Sequence, residues 1–158
     1  MAALDVGTAL SNVRTMLSGL SAWQTICGVA TSGAAIHRIH YGAIEDDQES
    51  TSAPCIILDV TSVPTNWLAN RLQGTLTIEM RFYLEMPNSE RETFSDQYIW
   101  AWQKFSAMMD GINGACGDAG EVMIKSLDVP LMPGRIDPDM NKGVSEWNFI
   151  LSLGVDFI

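Results

Sequence analysis

The longest regular pattern in the sequence is an unbroken alternation of polar and apolar residues from Thr75 to Met86. Because successive side chains of a β-strand point to opposite faces of its sheet, this pattern predicts one strand with one buried and one outward face. Its twelve residues span roughly 40 Å, about twice the length of a common strand. We therefore expect a protruding hairpin or an assembly surface. The residues predicted to form the exposed strand face are Thr75, Thr77, Glu79, Arg81, Tyr83 and Glu85.

The composition is that of a folded chain with an acidic surface. The sequence has 158 residues, of which 47% are hydrophobic and 18% are charged, and we expect one domain over residues 1–158. The formal net charge is −10. Because phosphate binding needs a basic surface, this charge disfavours specific nucleic-acid binding. An acidic surface can still let DNA slide past, since it repels the phosphate backbone.

The cysteines and the N-terminal sequence bear on the compartment. Cys27, Cys55 and Cys116 are odd in number and form no CxxC pair, which is typical of a reducing environment. We expect Cys55 to be a small buried hydrophobe. The sequence shows neither a signal-peptide pattern nor an apolar run of about 20 residues, so we expect no membrane partner. The predicted location is the cytosol or a particle assembled there.

The periodicity of the remaining segments predicts an α+β fold. Leu10, Val13 and Leu17 recur at helical spacing within a helix of about residues 3–18, and Trp23 and Ile26 fit a short helical turn. Further strands are predicted at residues 36–41, 55–60, 122–127 and 146–157, with connections at 64–73 and 129–144. The predicted order is α-β-β-β-α-β-β. We expect a largely antiparallel mixed sheet with helices packed on one face.

The segment after the long strand predicts an aromatic-rich helix. Ser89 and Glu92 have the spacing of a capping box, and Gly111 and Gly114 are expected to mark the helix end. Residues at helical spacing predict the face that packs on the sheet: Phe94, Tyr98, Ile99, Trp102, Phe105, Met109 and Ile112.

Two segments contain residue types that can bind metal ions. His37 and His40 lie three residues apart, so on one strand they would face opposite sides and could not share a metal. On a helix the two histidines would lie on one face, and Glu45 or Asp46 would be a further metal ligand. The segment from Asp137 to Gly143 has the oxygen ligands of a weak cation site. It lacks the glycine and glutamate of an EF-hand, and an ordinary polar turn is the better interpretation.

No motif in the sequence predicts catalysis. Glycines at 111, 114, 117 and 120 follow a predicted helix and lack the lysine and the serine or threonine of a phosphate-binding loop. No nucleophile elbow or HExxH motif is present. The acids at 45–47 have no hydrophobic setting that would raise a carboxyl pKa. We predict neither an enzyme nor a cofactor.

The order of these segments resembles the tail terminator and tail-completion proteins of long-tailed bacteriophages. The features that carry the resemblance are the opening amphipathic helix, residues 36–42, the acidic loop 45–52, residues 53–58, the long strand 74–86, the aromatic helix and the alternating strand that follows it. The resemblance covers nearly the whole chain but rests on architecture, without a diagnostic motif. No functional residue of the family can therefore be carried over by alignment.

The resemblance implies a structural protein of the virion tail, in the neck region, assembled in the host cytoplasm. Subunits of this family form a hexameric ring that ends growth of the tail tube, and the implied partners are other copies, the tail tube protein and the head–tail connector. DNA would pass through the lumen without specific binding. The candidate lumen or assembly contacts are Glu45, Asp46, Asp47, Glu49, Asp137, Asp139 and Lys142.

Three alternatives remain open at this point. A neck adaptor or stopper of the same particle differs mainly in its position. An acidic DNA-mimic inhibitor would need carboxylates at phosphate-like spacing, and a charged content of 18% with scattered acids argues against it. A small enzyme of unknown chemistry is the last alternative.

Overall fold

The computed structural model describes residues 6–42, 54–63, 66–68, 71–86, 94–115, 123–128, 134–136 and 145–157. These residues form four α-helices and seven β-strands. The helices are α1 (Val6–Gly19), α2 (Ser21–Cys27), α3 (Ser32–Ala35) and α4 (Phe94–Ala115), and a 3-10 turn spans Ile36–Arg38. The strands are β1 (Ile39–Tyr41), β2 (Cys55–Ser62), β3 (Asn66–Leu68), β4 (Arg71–Met86), β5 (Met123–Asp128), β6 (Gly134–Ile136) and β7 (Ser145–Phe157).

The strands form one mixed sheet in the order β1-β2-β4-β7-β5, with β3 paired to β4 and β6 to β7. Only the β1–β2 pair is parallel among the described pairs. The two long strands carry the centre, because β7 pairs along all of its 13 residues with β4, from Gly74↔Phe157 to Met86↔Ser145. The predicted largely antiparallel mixed sheet is confirmed.

The helices all pack on the same face of this sheet. Each of the four buries at least one residue in a single cluster with the inward side chains of β2, β4 and β7. On β4 the inward residues are the apolar half of the alternation, and all are at most 1% exposed: Leu76, Ile78, Met80, Phe82 and Leu84. The α+β class and the helices on one face are therefore confirmed.

The N-terminal helices are joined to the sheet by side-chain hydrogen bonds as well as by packing. The indole Nε1 of Trp23 donates to the Ala35 carbonyl at 3.3 Å, and its ring meets Phe82 edge-on at 6.1 Å. The guanidinium of Arg14 donates to the carbonyls of Ile36 and Ile39 at 3.1 and 3.0 Å. These bonds satisfy carbonyl groups at the start of β1. The predicted helical turn around Trp23 corresponds to α2, and Gly28 ends that helix in the left-handed conformation (φ 67°).

Helix α4 packs on β7 through aromatic rings, but its buried face is turned relative to the prediction. Phe105 is 4% exposed and stacks on Phe149 with ring centroids 4.3 Å apart. Trp102 meets Phe149 edge-on at 5.6 Å. The centre of the buried face is Ala101, Phe105, Met108 and Ile112. Tyr98 and Ile99, by contrast, are 38% and 53% exposed, so their assignment to the sheet-facing side was wrong.

Several predicted boundaries also differ. Residues 36–38 form a 3-10 turn, so the strand predicted at 36–41 begins only at Ile39. The connections predicted at 64–73 and 129–144 contain β3 and β6, each three residues long. Gly111 and Gly114 lie inside α4, which extends to Ala115, because a helix tolerates glycine where packing holds it. The capping box at 89–92 lies outside the described residues.

Strand β4 begins before the predicted alternation, and Gly74 lies where its pairing with β7 ends. Its first residues, Arg71 to Gln73, pair with β3, whereas the residues from Gly74 onward pair with β7. The φ angle of Gly74 is 129°, a backbone conformation that residues with a Cβ rarely adopt. The hairpin of β3 and the start of β4 therefore extends past the paired ends of β7 and β2, in a segment that the sequence had predicted to be a connection.

Candidate assembly surface

The face of the sheet opposite to the helices is the candidate functional surface, and we call it the outer face. It combines the polar half of β4 with neighbouring residues of β2 and β7. Pairing places Ile57, Arg81 and Ile150 in one row across the three strands, and Asp59, Glu79 and Ser152 in the next. The predicted strand-face residues lie half-buried on this surface: Thr75, Thr77, Glu79, Arg81 and Tyr83. Glu85 lies on the same strand, and its side chain is outside the described part.

An ion pair lies at the centre of the outer face. The Nε of Arg81 is 2.7 Å from Oε1 of Glu79, two residues away on the same side of β4. The hydrogen bond that Arg81 donates to the Glu79 carboxylate is the main cause that raises the pKa of Arg81 above its ordinary value. The side chains are 43% and 22% exposed, so solvent screens the pair and its contribution to stability is below about 1 kcal/mol. Its effect is to neutralise charge at the middle of the surface.

The apolar residues of the outer face differ in exposure. Cys55 and Ile57 alternate with Ile56 and Leu58 of the helix-side core, yet both are almost fully buried on the opposite side. Ile150, one strand beyond Arg81, is 40% exposed. The outer face is thus buried at β2 and open at β7. A surface of threonine, tyrosine, isoleucine and one ion pair can pack against another protein, as interfaces of mixed polarity do.

A cluster of cationic side chains lies at the β1 edge of the sheet. The guanidinium carbon of Arg14 is 5.3 Å from the centre of the Tyr41 ring. The Nε2 atom of His40 is buried without a hydrogen-bond partner among the described residues. Burial and the charges of Arg14 and Arg38 hold the pKa of His40 below its usual value. His40 is therefore a neutral, packed side chain near neutral pH.

The described residues hold no site for a metal or a nucleophile. No group of three His, Cys, Asp or Glu side chains comes together within the described ranges. His37 lies in the 3-10 turn and His40 on β1, so the alternation argument for one strand does not apply to the pair. Burial raises the pKa of Cys27 to about 11, which keeps the thiol protonated. Cys55 is fully buried, as predicted.

The acidic candidates from the sequence are not part of this surface as described. Glu45, Asp46, Asp47, Glu49, Asp137, Asp139 and Lys142 all lie outside the described residues. Sequence reasoning missed Ile57, Asp59 and Ile150 as members of the outer face. Strand β7 alternates and β2 is a nearly continuous apolar run, but which residues are neighbours depends on the register between strands, which a single sequence does not reveal.

A second surface feature, also missed, lies on the solvent side of α4. A groove of about 480 Å³ runs along this helix. Its described lining residues are Tyr98, Ile99, Trp102, Gln103, Ser106, Ala107 and Asp110. The sequence signal for this groove was the pair Tyr98 and Ile99, because both are apolar and only one face of α4 can lie on the sheet. Both are exposed in the structure.

Comparisons with known proteins add no family to these observations. In the part of the chain that the structure describes, no helix is both long and apolar enough to cross a membrane. No protein-family model matches the chain, and no curated protein matches it significantly.

Proposed function

We propose that this protein is a structural subunit of a phage virion that forms a ring at the head-proximal end of the tail tube. The ring would end tube growth and join the tail to the head connector, with DNA passing through its lumen. It acts without a cofactor and is not an enzyme. Its partners are other copies of itself, as a homo-hexamer, together with the tail tube protein and the head–tail connector.

The observation that carries this proposal is the long β4–β7 platform with its outer face uncovered by any described helix. Thirteen consecutive residue pairs join the two strands. Because the described inward side chains of β4 and β7 pack in the core beneath the helices, the platform presents its outer residues on a rigid backbone. Rigid, half-polar sheet faces suit repeated contacts between identical subunits better than they suit a pocket for a small substrate.

The hairpin of β3 and β4 supports the same function. The segment before Gly74 extends past the ends of the neighbouring strands and can reach a second subunit or the end of the tube. The long strand 74–86 is also one of the features that carry the resemblance to tail terminators.

Charge supports a passive relation to DNA. The net charge is −10, and the ion pair of Glu79 with Arg81 leaves the centre of the outer face without a free cation. Strong DNA binding needs several free lysine or arginine contacts to phosphates. Passage without retention is therefore the expected behaviour. The described carboxylates are also too few and too scattered to favour an inhibitor that imitates DNA.

The experiment that tests the proposal adds purified protein to purified tail tubes and images the products by negative-stain electron microscopy. We expect rings at one end of each tube and no further tube growth. Subunits of such rings can remain monomeric until they meet the tube, so a monomer in isolation agrees with the proposal. A protein that neither forms rings nor binds tube ends would contradict it.

Two matched variants separate a specific interface from general effects of charge. Ile150→Glu puts a charge on the outer face, and Ile99→Glu puts the same charge on the opposite side of the molecule, at similarly exposed positions of 40% and 53%. We expect Ile150→Glu to abolish ring formation on tubes and Ile99→Glu to leave it intact. Binding to connector particles instead of tube ends would favour the neck adaptor or stopper.

A further inference from the structure

The groove on α4 is independent of the outer face, since it lies on the far side of the helix layer. Residues from Tyr98 to Asp110 line it over about 18 Å of helix axis. Tyr98, Ile99 and Trp102 form its apolar end, with Tyr98 edge-on to Trp102 at 6.3 Å between ring centroids. Ser106 and Ala107 form a low floor in the middle. Asp110 closes the other end.

The apolar end of the groove is costly to leave in water. Ile99 is 53% exposed and Tyr98 is 38% exposed, although the same helix has buried Phe105 and Met108 completely against the sheet. Tyr98 and Ile99 form a ridge, and Ser106 and Ala107 leave a depression beside it. Helices pack by fitting the ridges of one into the grooves of the other. An exposed groove with an apolar end can receive the apolar stripe of an amphipathic helix from another protein.

The charge around the groove specifies the chemistry of the occupant. Asp110 is the charged residue among the described lining residues of the groove. Lys104 is not among the lining residues and is half-buried. The whole chain carries a net charge of −10. A partner with basic side chains flanking an apolar stripe would therefore complement both the shape and the charge.

The same charges disfavour a second copy of this chain. In an antiparallel pair of α4 helices, Asp110 of each copy would lie at the apolar end of the other copy's groove, where the described lining residues offer no basic side chain. In a parallel pair, Asp110 would lie beside Asp110, and like charges oppose association. Neither arrangement gives Asp110 a partner of opposite charge among the described lining residues.

We propose that the α4 groove binds a basic amphipathic helix of a partner protein. The apolar stripe of that helix packs on Tyr98, Ile99 and Trp102 and over the floor formed by Ser106 and Ala107. Its lysine or arginine residues lie beside Asp110. The proposal does not depend on ring formation, because it concerns a surface on the opposite side of the molecule from the outer face.

The test uses synthetic helical peptides of about 18 residues, long enough to span the groove. One carries leucines at helical spacing with lysines elsewhere, the second has glutamates in place of the lysines, and the third is a scrambled form of the first. Fluorescence anisotropy at about 0.1 M salt limits attraction by net charge alone. We expect the basic amphipathic peptide to bind at least about tenfold tighter than the other two, a difference of about 1.4 kcal/mol.

Variants of the protein identify the site. Ala107→Trp fills the floor of the groove, and we expect it to weaken binding of the basic peptide at least about tenfold while the circular dichroism spectrum stays the same. Asp110→Lys should weaken binding as well. Asp59→Lys makes the same change of charge on the outer face and should leave the affinity unchanged.

Three results would overturn the proposal. The first is equal binding of the scrambled and amphipathic basic peptides. The second is full affinity in the folded Ala107→Trp variant. The third is dimerisation of the unmodified protein, measured by sedimentation, that Ala107→Trp abolishes, because the occupant would then be a second copy of this chain.

Discussion

The two faces of β4 come from one alternating sequence and have opposite properties. Inward residues such as Ile78 and Phe82 are at most 1% exposed and pack under the helices. Outward residues such as Thr77 and Arg81 are half-buried, with no described helix over them. The inward face accounts for stability, since burial of apolar surface is the main favourable term in folding. The outward face is free to be selected for contacts with other molecules.

The burial of the outer face differs from one strand of the sheet to another. At β2 the outer face buries Cys55 and Ile57 as thoroughly as the inner face buries Ile56 and Leu58. At β7 the outer face exposes Ile150. The open part of the outer face is therefore the β4–β7 half. Three predictions test how sharply the two faces differ, in order of decreasing effect.

The largest effect is expected where α4 meets the inner face. Phe105→Ala removes a ring that stacks on Phe149, and we expect it to lower the free energy of unfolding by about 3–5 kcal/mol. Tyr98→Ala removes an exposed ring from the same helix and should cost less than about 1 kcal/mol. Urea unfolding measures both. Similar losses in the two variants would mean that the buried face of α4 is assigned wrongly.

A smaller effect is expected from neighbouring residues on the two faces of β4. Ile78→Ala leaves a cavity in the core and should cost about 2–4 kcal/mol. Thr77→Ala changes the half-buried outer face and should cost less than about 1 kcal/mol. Thermal unfolding of the pair gives the comparison. If Thr77→Ala proves as costly as Ile78→Ala, the outer face contributes to the core of the isolated protein and is not a free surface.

The smallest effect concerns His40, at the buried end of the outer face. Burial, followed by the charges of Arg14 and Arg38, lowers its pKa in the folded protein. The unfolded state then binds the proton more readily than the folded state. The folded protein therefore keeps its full free energy of unfolding above pH 6.5 and loses part of it as the pH falls below that value. We expect the free energy of unfolding of the His40→Gln variant to fall less on acidification than that of the unmodified protein.

Measurement of urea midpoints between pH 7.5 and pH 5 tests this prediction, and the NMR titration of His40 gives its pKa directly. A histidine that titrates at or above its ordinary value would show that this end of the outer face is open to water.

The sequence predicted those elements whose periodicity is long. The alternation in β4 and β7 and the apolar run of β2 identified the central strands, because period-two patterns over many residues have few alternatives. Helices α1 and α4 were found for the corresponding reason. On the candidate site, the alternation predicted which residues of β4 face outward, and the structure places Thr75 through Tyr83 accordingly.

The remaining elements depend on contacts between distant residues. Residues 36–38 form a 3-10 turn whose Ile36 carbonyl accepts a hydrogen bond from Arg14, 22 residues earlier. Strands β3 and β6 have three residues each and exist as partners of β4 and β7. The turn of α4 relative to the prediction follows from packing on Phe149, which favours Phe105 and Met108 over Tyr98. None of these contacts has a local sequence signature.

The strand order has a consequence for synthesis on the ribosome. Strand β7 follows every other described strand in the sequence, yet it lies between β4 and β5 at the centre of the sheet. Until residues 145–157 have emerged, β4 retains a long row of unpaired backbone groups and β5 has no partner among the described strands. Such an edge can pair with another nascent chain, and non-local pairing is slow. The protein is thus most prone to aggregation in the interval just before β7 is added.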